Sequence, residues 1–489
     1  VYSQVRCWDT LIYNHLKKKH IVVPPREDQE KATQYEGAYV KDPDLGLHKW
    51  IVSFDLNSLY PHLIMQYNIS PETYYDVKTN GVNVDNMLSQ QVNLKFAKDK
   101  NITIAPNGAM FRRDKQGFLP ELMEKMYGDR VIYKKKMMEA KKEFQKTKDP
   151  IYKNEIARCH NIQMAKKIAL NSAYGAIGNQ YFRYFDVKQA EAITLGGQLS
   201  IRWVERDVNK FMNKVLETDN QNYVVASDTD SIYISMGKLV DKVCKDKTPQ
   251  QISDFLDKVS EQKLQKVIDK SFDNLADYVN AFQQKMVMKR EAIANKGIWV
   301  AKKRYMLNLF DEEGIRYEYP KLKVMGVEAV KSSTPEICRT KIKEAIRVIM
   351  NESEDDLIKY VADFKETFKT LSPEEVAFPR SCNNLMKFAD SSSIYKKGTP
   401  IHVKGALIYN YHLHKHKLEM KYPVIRDGDK IKFLMLKIPN NIKDTVISFS
   451  SRIPYEFDLH KYVDYDLQFQ KTFTDPLKFI LATLEAFFG

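Results

Sequence analysis

The stretch VSFDLNSLYPHLI, Val52 to Ile64, ends an apolar, strand-like run on the carboxylate of Asp55 and starts a helix-forming segment almost at once. A carboxylate beside a buried strand costs several kcal/mol unless it is paired, hydrogen-bonded or bound to a metal. The chain must therefore bring Asp55 a partner from elsewhere, and this requirement restricts the fold more than any other local feature.

A candidate partner lies in NYVVASDTDSIYISMG. Tyr223 to Ala226 and Ser231 to Ser235 are β-branched and aromatic runs on either side of the polar turn SDTDS, which is a hairpin signal. Asp228 and Asp230 would project from its tip. If Trp50 to Leu56 pairs beside this hairpin, Asp55 and Asp230 converge, and like charges that close require cations between them. Two hard divalent ions completed by substrate phosphates fit the oxygen-ligand chemistry of Mg²⁺. Taken alone, SDTDS also reads as an Asp-rich turn that caps itself.

Lys and Arg number 77 against 63 Asp and Glu, a net charge of +14 over 489 residues. That excess favours a polyanion, either nucleic acid or an anionic membrane surface. No apolar run reaches the length of a bilayer span and VYSQVRCWDT is not a signal peptide, so a soluble cytoplasmic protein with no membrane partner is expected. Cys7, Cys159, Cys244, Cys338 and Cys382 are scattered and form no Cys-x-x-Cys pair, which supports neither a disulfide scaffold nor a cysteine zinc site. The chain opens on Val1, so it reads as a fragment, a processed product or a trimmed form.

Periodicity predicts a short helix at Trp8–Leu16, a linker at Pro24–Tyr35, a strand at Trp50–Leu56 and a helix from Leu59. Pro120–Lys146 and Asn154–Ala173, separated by KTKDP, read as an antiparallel helical hairpin, and Val187–Val215 as a further long helix. Ile252–Phe282 is helical in pattern. Strands are expected at Met286–Ile293, Ile298–Leu309 and Arg316–Tyr319, the last two joined by DEEG. Beyond Pro335 the pattern is mostly helical, with a β-leaning stretch around Lys430–Ser448.

DLNSLYPHLI, KKIALNSAYGAIGN and SDTDSIY, in that order, resemble motifs A, B and C of the family B (polymerase-alpha-like) DNA polymerases, and within that family the replicative enzymes of T-even-type bacteriophages. SPETYY, RYFDVKQAEAITLGGQ, WVAKKRYMLNL, LKVMGVEAVKSSTP and the terminal FFG extend the similarity along the chain. The resemblance implies an α+β multidomain, right-hand architecture: a ferredoxin-like palm, helical-hairpin fingers and a mostly helical thumb. Residues 1–25 would be a remnant of an N-terminal region. The palm would comprise 26–119 and 180–325, the fingers 120–179, and the thumb with its tail 326–489.

By the same resemblance, Asp55 and Asp230 bridge two Mg²⁺ ions and Asp228 is their less essential neighbour. Leu56 lends its carbonyl to the nucleotide-side metal. Ser58 and the amides of Leu59 and Tyr60 hold phosphate oxygens at a helix start. Tyr60 lies under the sugar and excludes a ribose 2′-OH. Arg130 and Lys134, at i and i+4, clamp the dNTP phosphates together with Lys167, which also protonates the leaving pyrophosphate. Lys167, Asn171 and Tyr174 share a helix face, with Asn171 at the nascent base pair and Tyr174 on its minor-groove side. Lys302, Lys303, Arg304 and Tyr305, read as part of a strand, would track the primer–template duplex, with Lys323 as a further backbone contact. Leu484, Phe487 and Phe488, one turn apart, would dock on a sliding clamp; packing on the thumb is the alternative.

Three departures qualify the likeness. The Asp-x-Glu upstream of Asp55, Asp28 and Glu30, lies in a polar linker, so a 3′–5′ exonuclease is expected outside this chain, upstream on the same gene or on a separate subunit. The fingers are shorter than in the T-even enzymes. Lys289 stands where those relatives carry an acid, and Glu291 keeps the second carboxylate of that stretch without a secure metal role. A catalytically silent DNA-binding subunit would not need the Asp55–Asp230 pair and Lys167, and Tyr60 at the sugar gate disfavours an RNA-making enzyme. The reading is a template-directed DNA polymerase core that uses two metal ions.

Overall fold

The computed structural model describes residues 4–27, 30, 34–78 and 80–488, without the side chains of residues 145 and 485–488. Asp28, half of the Asp-x-Glu pair, and the Phe487 and Phe488 side chains lie outside that description. The chain is of mixed α+β type, and its residues group into two units. The first is Val1–Pro43, Trp50–Ile293 and Asp311–Arg316; the second is Asp44–Lys49, Ala294–Phe310 and Tyr317–Gly489.

In the first unit, helix α1 (Gln4–Lys18) buries Trp8, Ile12 and Leu16, one per turn. The Trp8 indole N–H donates to the Ala169 carbonyl and the Ser172 hydroxyl at 3.1 Å. Trp8, Ile12 and Leu16 of the 1–25 segment join the core of this unit. Strand β1 (Gly46–Leu56) is buried almost without interruption from Trp50, which explains its continuous rather than alternating apolar pattern. Helix α2 (Leu59–Tyr67) follows within a few residues. Next come β2 (Tyr74–Val77), short helices α3 (Val84–Leu88) and α4 (Lys95–Asp99), β3 (Ile102–Ile104) and β4 (Ala109–Arg112). These strands form a small sheet in the order β2–β4–β3 that the sequence did not announce, because strands this short carry no readable alternation.

Helices α5 (Phe118–Thr147) and α6 (Ile151–Ile177) form the expected hairpin, turning at Lys148 with φ 58°. Helix α7 (Val187–Leu216) is amphipathic and buries sixteen side chains or glycines along its length. β5 (Val224–Asp228) and β6 (Ser231–Ser235) form the hairpin, and β6 pairs antiparallel with β1 in the register Asp55↔Ser231. The stretch 252–282 is two helices, Pro249–Val259 and Gln265–Tyr278, joined by a π-helical turn.

Strand β7 (Met288–Ala301) is continuous where two strands were expected. It meets β8 (Arg304–Glu312) at a turn formed by Lys302 and Lys303, so the expected strand across Ile298–Leu309 is instead a hairpin tip. Lys303 adopts φ 60°, which a strand interior does not accommodate. β9 (Ile315–Met325) follows the turn inside DEEG. In the first unit β5, β6, β1 and the start of β7 are neighbours in that order; in the second, the rest of β7 lies beside β8 and then β9.

The second unit holds two further cores. One gathers helix Ile401–Lys415 against the sheet Phe378–Ser381, Lys430–Met435 and Val446–Phe449, in that order. The other packs helices Glu336–Asn351 and Glu354–Phe368 with Phe469, Phe473 and Leu477. Leu484, on the C-terminal helix Asp475–Phe488, is partly buried against this second core and lines a cavity with Ile349, Leu357 and Leu481. Among the described residues no helix is long and apolar enough to cross a membrane.

Candidate active site

The β1–β6 register sets the two aspartates side by side. Asp55 stands opposite Ser231, and the next residue along, Leu56, donates its amide to the Asp230 carbonyl at 2.7 Å. The turn that carries Asp230 is tight. Thr229 has φ 59°, its hydroxyl donates to Asp228 Oδ1 at 2.9 Å, and the Asp230 amide donates to the Asp228 carbonyl at 2.6 Å. A β-branched residue in the left-handed region is strained, so the fold must hold this turn from outside.

Burial pushes the Asp230 carboxyl up to about 6; the neighbouring charges of Asp228 and Glu291 push the same way, and Lys167 opposes them. Glu291 therefore belongs to the acidic neighbourhood. The sequence left its role open because the likeness there is broken at Lys289, yet strand alternation turns Glu291 and Lys289 to the same face of β7, with Lys289 exposed and Glu291 half-buried. Ser53 of β1 donates to Glu291 Oε2 at 3.4 Å.

Among the described residues no three His, Cys, Asp or Glu side chains converge as a complete metal cage. The donors present are nonetheless all oxygen, and the excess negative charge is concentrated on Asp55, Asp228, Asp230 and Glu291. That set fits hard divalent cations whose shells are finished by carbonyls, water and substrate phosphates, as is usual for Mg²⁺.

Helix α2 begins beside this cluster. Ser58, its N-cap, has φ 47° and accepts a hydrogen bond on Oγ from Arg130 Nη1 of α5 at 2.9 Å. His62, which sequence reasoning missed, is buried; its Nδ1–H donates to the Ser58 carbonyl at 2.9 Å and its ring meets Tyr127 edge-on at 4.4 Å. Burial lowers the His62 pKa, so the ring braces the turn as a neutral group. The first amides of α2, at Leu59 and Tyr60, precede any intrahelical acceptor and carry the positive end of the helix dipole. Gly197 of α7 permits the close packing of this helix start: a Cβ there would stand 3.3 Å from Leu59 Cδ2 and 3.7 Å from Tyr60 Cε1.

Tyr60 packs against Tyr174 with ring centroids 4.7 Å apart, and Tyr35 meets Tyr174 edge-on at 6.5 Å. Burial raises the Tyr174 pKa first, then the hydrogen bond with Tyr35. Tyr35 was read only as the end of a linker, and nothing in its local sequence signals a partner on α6. Lys167 and Asn171 are exposed on α6, and Lys134 is exposed on α5 beside Val131 and Met138.

The KKRY residues divide. Lys302 and Lys303 are exposed at the hairpin tip. Tyr305 is only 6% exposed and stacks on Trp299 at 5.5 Å. Arg304 Nη2 donates to Glu328 at 2.6 Å, with its guanidinium 4.6 Å from the Phe479 ring. Of the four, the two lysines are exposed, whereas Arg304 and Tyr305 pack on neighbouring side chains. Lys323 is half-buried in β9.

Acidic oxygens, the positive end of a helix and a basic helical hairpin thus lie close together in the first unit. DNA polymerase family B matches residues 2–269, more than half of the chain, and the chain belongs to that family. It is 33% identical to the DNA-directed DNA polymerase of Escherichia phage RB69 and 31% identical to that of Enterobacteria phage T4, each over 98% of this chain. DNA polymerase 1 of Pyrococcus abyssi is 29% identical over 70% of this chain and 35% of its own length. The chain spans 58% of the length of each phage relative.

Proposed function

We propose that the chain is the polymerase core of a phage-type DNA-directed DNA polymerase, which extends a primer 3′-OH with dNTPs on a template strand and releases pyrophosphate. The observation that carries the reading is the backbone juxtaposition of Asp55 and Asp230, with the Lys167 charge acting on Asp230 and the Ser58–Arg130 contact at the start of the helix that follows Asp55. Palm (26–119 and 180–325), fingers (120–179) and thumb (326–489) are the working parts in this reading.

Asp55, Asp230 and the Leu56 carbonyl would hold two Mg²⁺ ions, with Asp228 and Glu291 adding negative potential. When bound, such ions supply Lewis acidity toward the attacking hydroxyl and the phosphates. The chain's own groups do the rest. The amides of Leu59 and Tyr60 and the Ser58 hydroxyl orient the triphosphate at a helix start. Arg130, Lys134 and Lys167 neutralise charge on the β and γ phosphates, and Lys167 donates a proton to the pyrophosphate leaving group. Tyr60, braced by Tyr174, fills the space a ribose 2′-OH needs. Asn171 and Tyr174 border the new base pair, and Lys302, Lys303 and Lys323 grip the duplex backbone.

The partners in this reading are primer–template DNA, dNTPs, a sliding clamp met through the C-terminal tail, and an exonuclease supplied upstream or by a separate subunit, all in the cytoplasm of a host cell. In this reading Leu484, Phe487 and Phe488 are the tail residues that meet the clamp, Leu484 also packing partly on its own unit. Primer extension by the purified chain with Mg²⁺ and four dNTPs is the direct test. No extension on any primer–template under conditions where the chain is folded would refute the reading.

A further inference from the structure

The strained turn Asp228–Thr229–Asp230 is held from outside by residues 36–41, which lie along the free edge of β5. The Thr229 amide donates to the Tyr39 carbonyl at 3.0 Å, the Lys41 amide donates to the Ser227 carbonyl at 3.1 Å, and Val40 bridges Asp228 antiparallel. The same segment is tied down by one stripe of α7. Thr194 Oγ1 donates to the Glu36 carbonyl at 2.8 Å and Gln198 Nε2 to the Gly37 carbonyl at 2.7 Å. The Arg202 guanidinium lies 5.4 Å from the Tyr39 ring, and Glu205 receives Lys41 Nζ at 2.6 Å. Thr194, Gln198, Arg202 and Glu205 follow one another at spacings of four, four and three, so a single helix face carries every tie.

Lys41 is the hub. With its side chain only 13% exposed, it also donates to the Val224 carbonyl at 2.6 Å and to Asn222 at 3.0 Å, joining the strap to the first residues of β5. A largely covered ammonium with three acceptors, one of them a largely covered carboxylate, is a more rigid joint than a fully exposed pair. We infer that residues 36–41 are a positioning strap for the carboxylate turn, and that Lys41 acts through it to keep Asp228 and Asp230 in the geometry that binds divalent ions. Lys41 is thereby assigned a positioning role, through its contacts to Glu205, Asn222 and Val224. The inference rests on the polymerase reading of the same site.

The test uses the full chain and Tb³⁺ as the probe, with luminescence sensitised by the protein's tyrosines, alongside primer extension. Lys41→Met should weaken Tb³⁺ binding by about tenfold or more. Primer–template affinity should stay within about twofold, because the strap supports cation ligands and not the duplex grip. In extension, kcat should fall while the dNTP KM moves little. Because Lys41→Met strands Glu205 in the interior, the paired variant Lys41→Met/Glu205→Leu restores an apolar contact and should recover thermal stability while keeping the Tb³⁺ defect. Gln198→Leu, which releases the other end of the strap, should weaken Tb³⁺ binding in the same direction. A folded Lys41→Met/Glu205→Leu protein with normal Tb³⁺ affinity and normal kcat would overturn the inference, as would normal affinity in Gln198→Leu. Asp55→Ala separates the two readings: if it retains full Tb³⁺ affinity, the cation site itself is misplaced; if it loses affinity while the strap variants do not, only the strap fails.

Discussion

The amide of Leu56 donates to the carbonyl of Asp230 at 2.7 Å, so the backbone itself joins the strand end that carries Asp55 to the turn that carries Asp230. Asp55→Ala or Asp230→Ala leaves this backbone bond in place while removing an oxygen donor. On the proposed reading, extension should therefore fall by at least about a thousandfold, with duplex affinity within about twofold, since that reading assigns affinity to separate basic surfaces. Single-turnover incorporation and filter binding on the same preparations check both halves. Turnover near wild type in either variant would be incompatible with a cation pair at this junction.

Arg130 contacts the Ser58 hydroxyl at 2.9 Å, and burial holds its pKa below the usual arginine range, yet it remains charged. Its charge is therefore already poised over the α2 helix start. Arg130→Ala should raise the dNTP KM about tenfold or more and leave primer–template affinity nearly unchanged. The opposite pattern, weaker DNA binding with an unaltered dNTP KM, would move Arg130 from the phosphates to the duplex.

Tyr60→Ala removes a ring packed 4.7 Å from Tyr174. The vacated space should admit ribonucleotides and cut discrimination between dNTP and rNTP by about a hundredfold. Competition assays with matched dATP and ATP measure it, and unchanged discrimination would count against Tyr60 as the gate.

Where function compresses into contiguous residues, the sequence was readable. Val52–Ile64 announces strand, carboxylate and helix start, and SDTDS announces its own hairpin, because each signal is local and chemically unusual. The α5–α6 hairpin was legible from length and the KTKDP break. The strap was not: Lys41 meets Glu205 and Val224 across most of the first unit, and KDPD looks like any polar loop. Tyr35 was invisible for the same reason, since its partner Tyr174 lies on another element. The KKRY lysines were placed in a strand because basic residues flanked by apolar ones mimic an exposed strand face; only the positive φ of Lys303 distinguishes the turn.

In the second unit, burial pushes the His412 imidazole down to about 4, helped by the nearby charges of Lys415 and His416. A base whose folded pKa is depressed binds fewer protons folded than unfolded, so its contribution to stability is complete above the unfolded value near 6.5 and lost as pH falls toward 4. Between pH 7 and pH 4.5 the wild type should lose about 2 kcal/mol more unfolding free energy than His412→Gln, which cannot titrate. Urea titrations at the two pH values decide it; parallel losses would show that His412 is not the proton-linked group.

Gly326 controls the lysine hairpin tip. Its φ is +68°, and a Cβ there would stand 2.0 Å from the carbonyl oxygen of Lys303, a backbone atom that cannot rotate away. Gly326→Ala therefore combines left-handed strain with a collision, and relief requires the Lys302–Lys303 turn to shift as a unit. The expected cost is about 3 kcal/mol of stability, seen as a lower Tm. Because Tyr305 and Arg304 are anchored to Trp299 and Glu328, the displacement falls on the two exposed lysines. Primer–template affinity should then drop severalfold and its salt dependence should weaken, with no new sequence preference, as expected when backbone contacts are lost. Lys302→Ala/Lys303→Ala should reproduce the affinity loss without the stability loss. If Gly326→Ala unfolds at the wild-type temperature and binds DNA normally, the hairpin tip is free to move and does not grip the duplex.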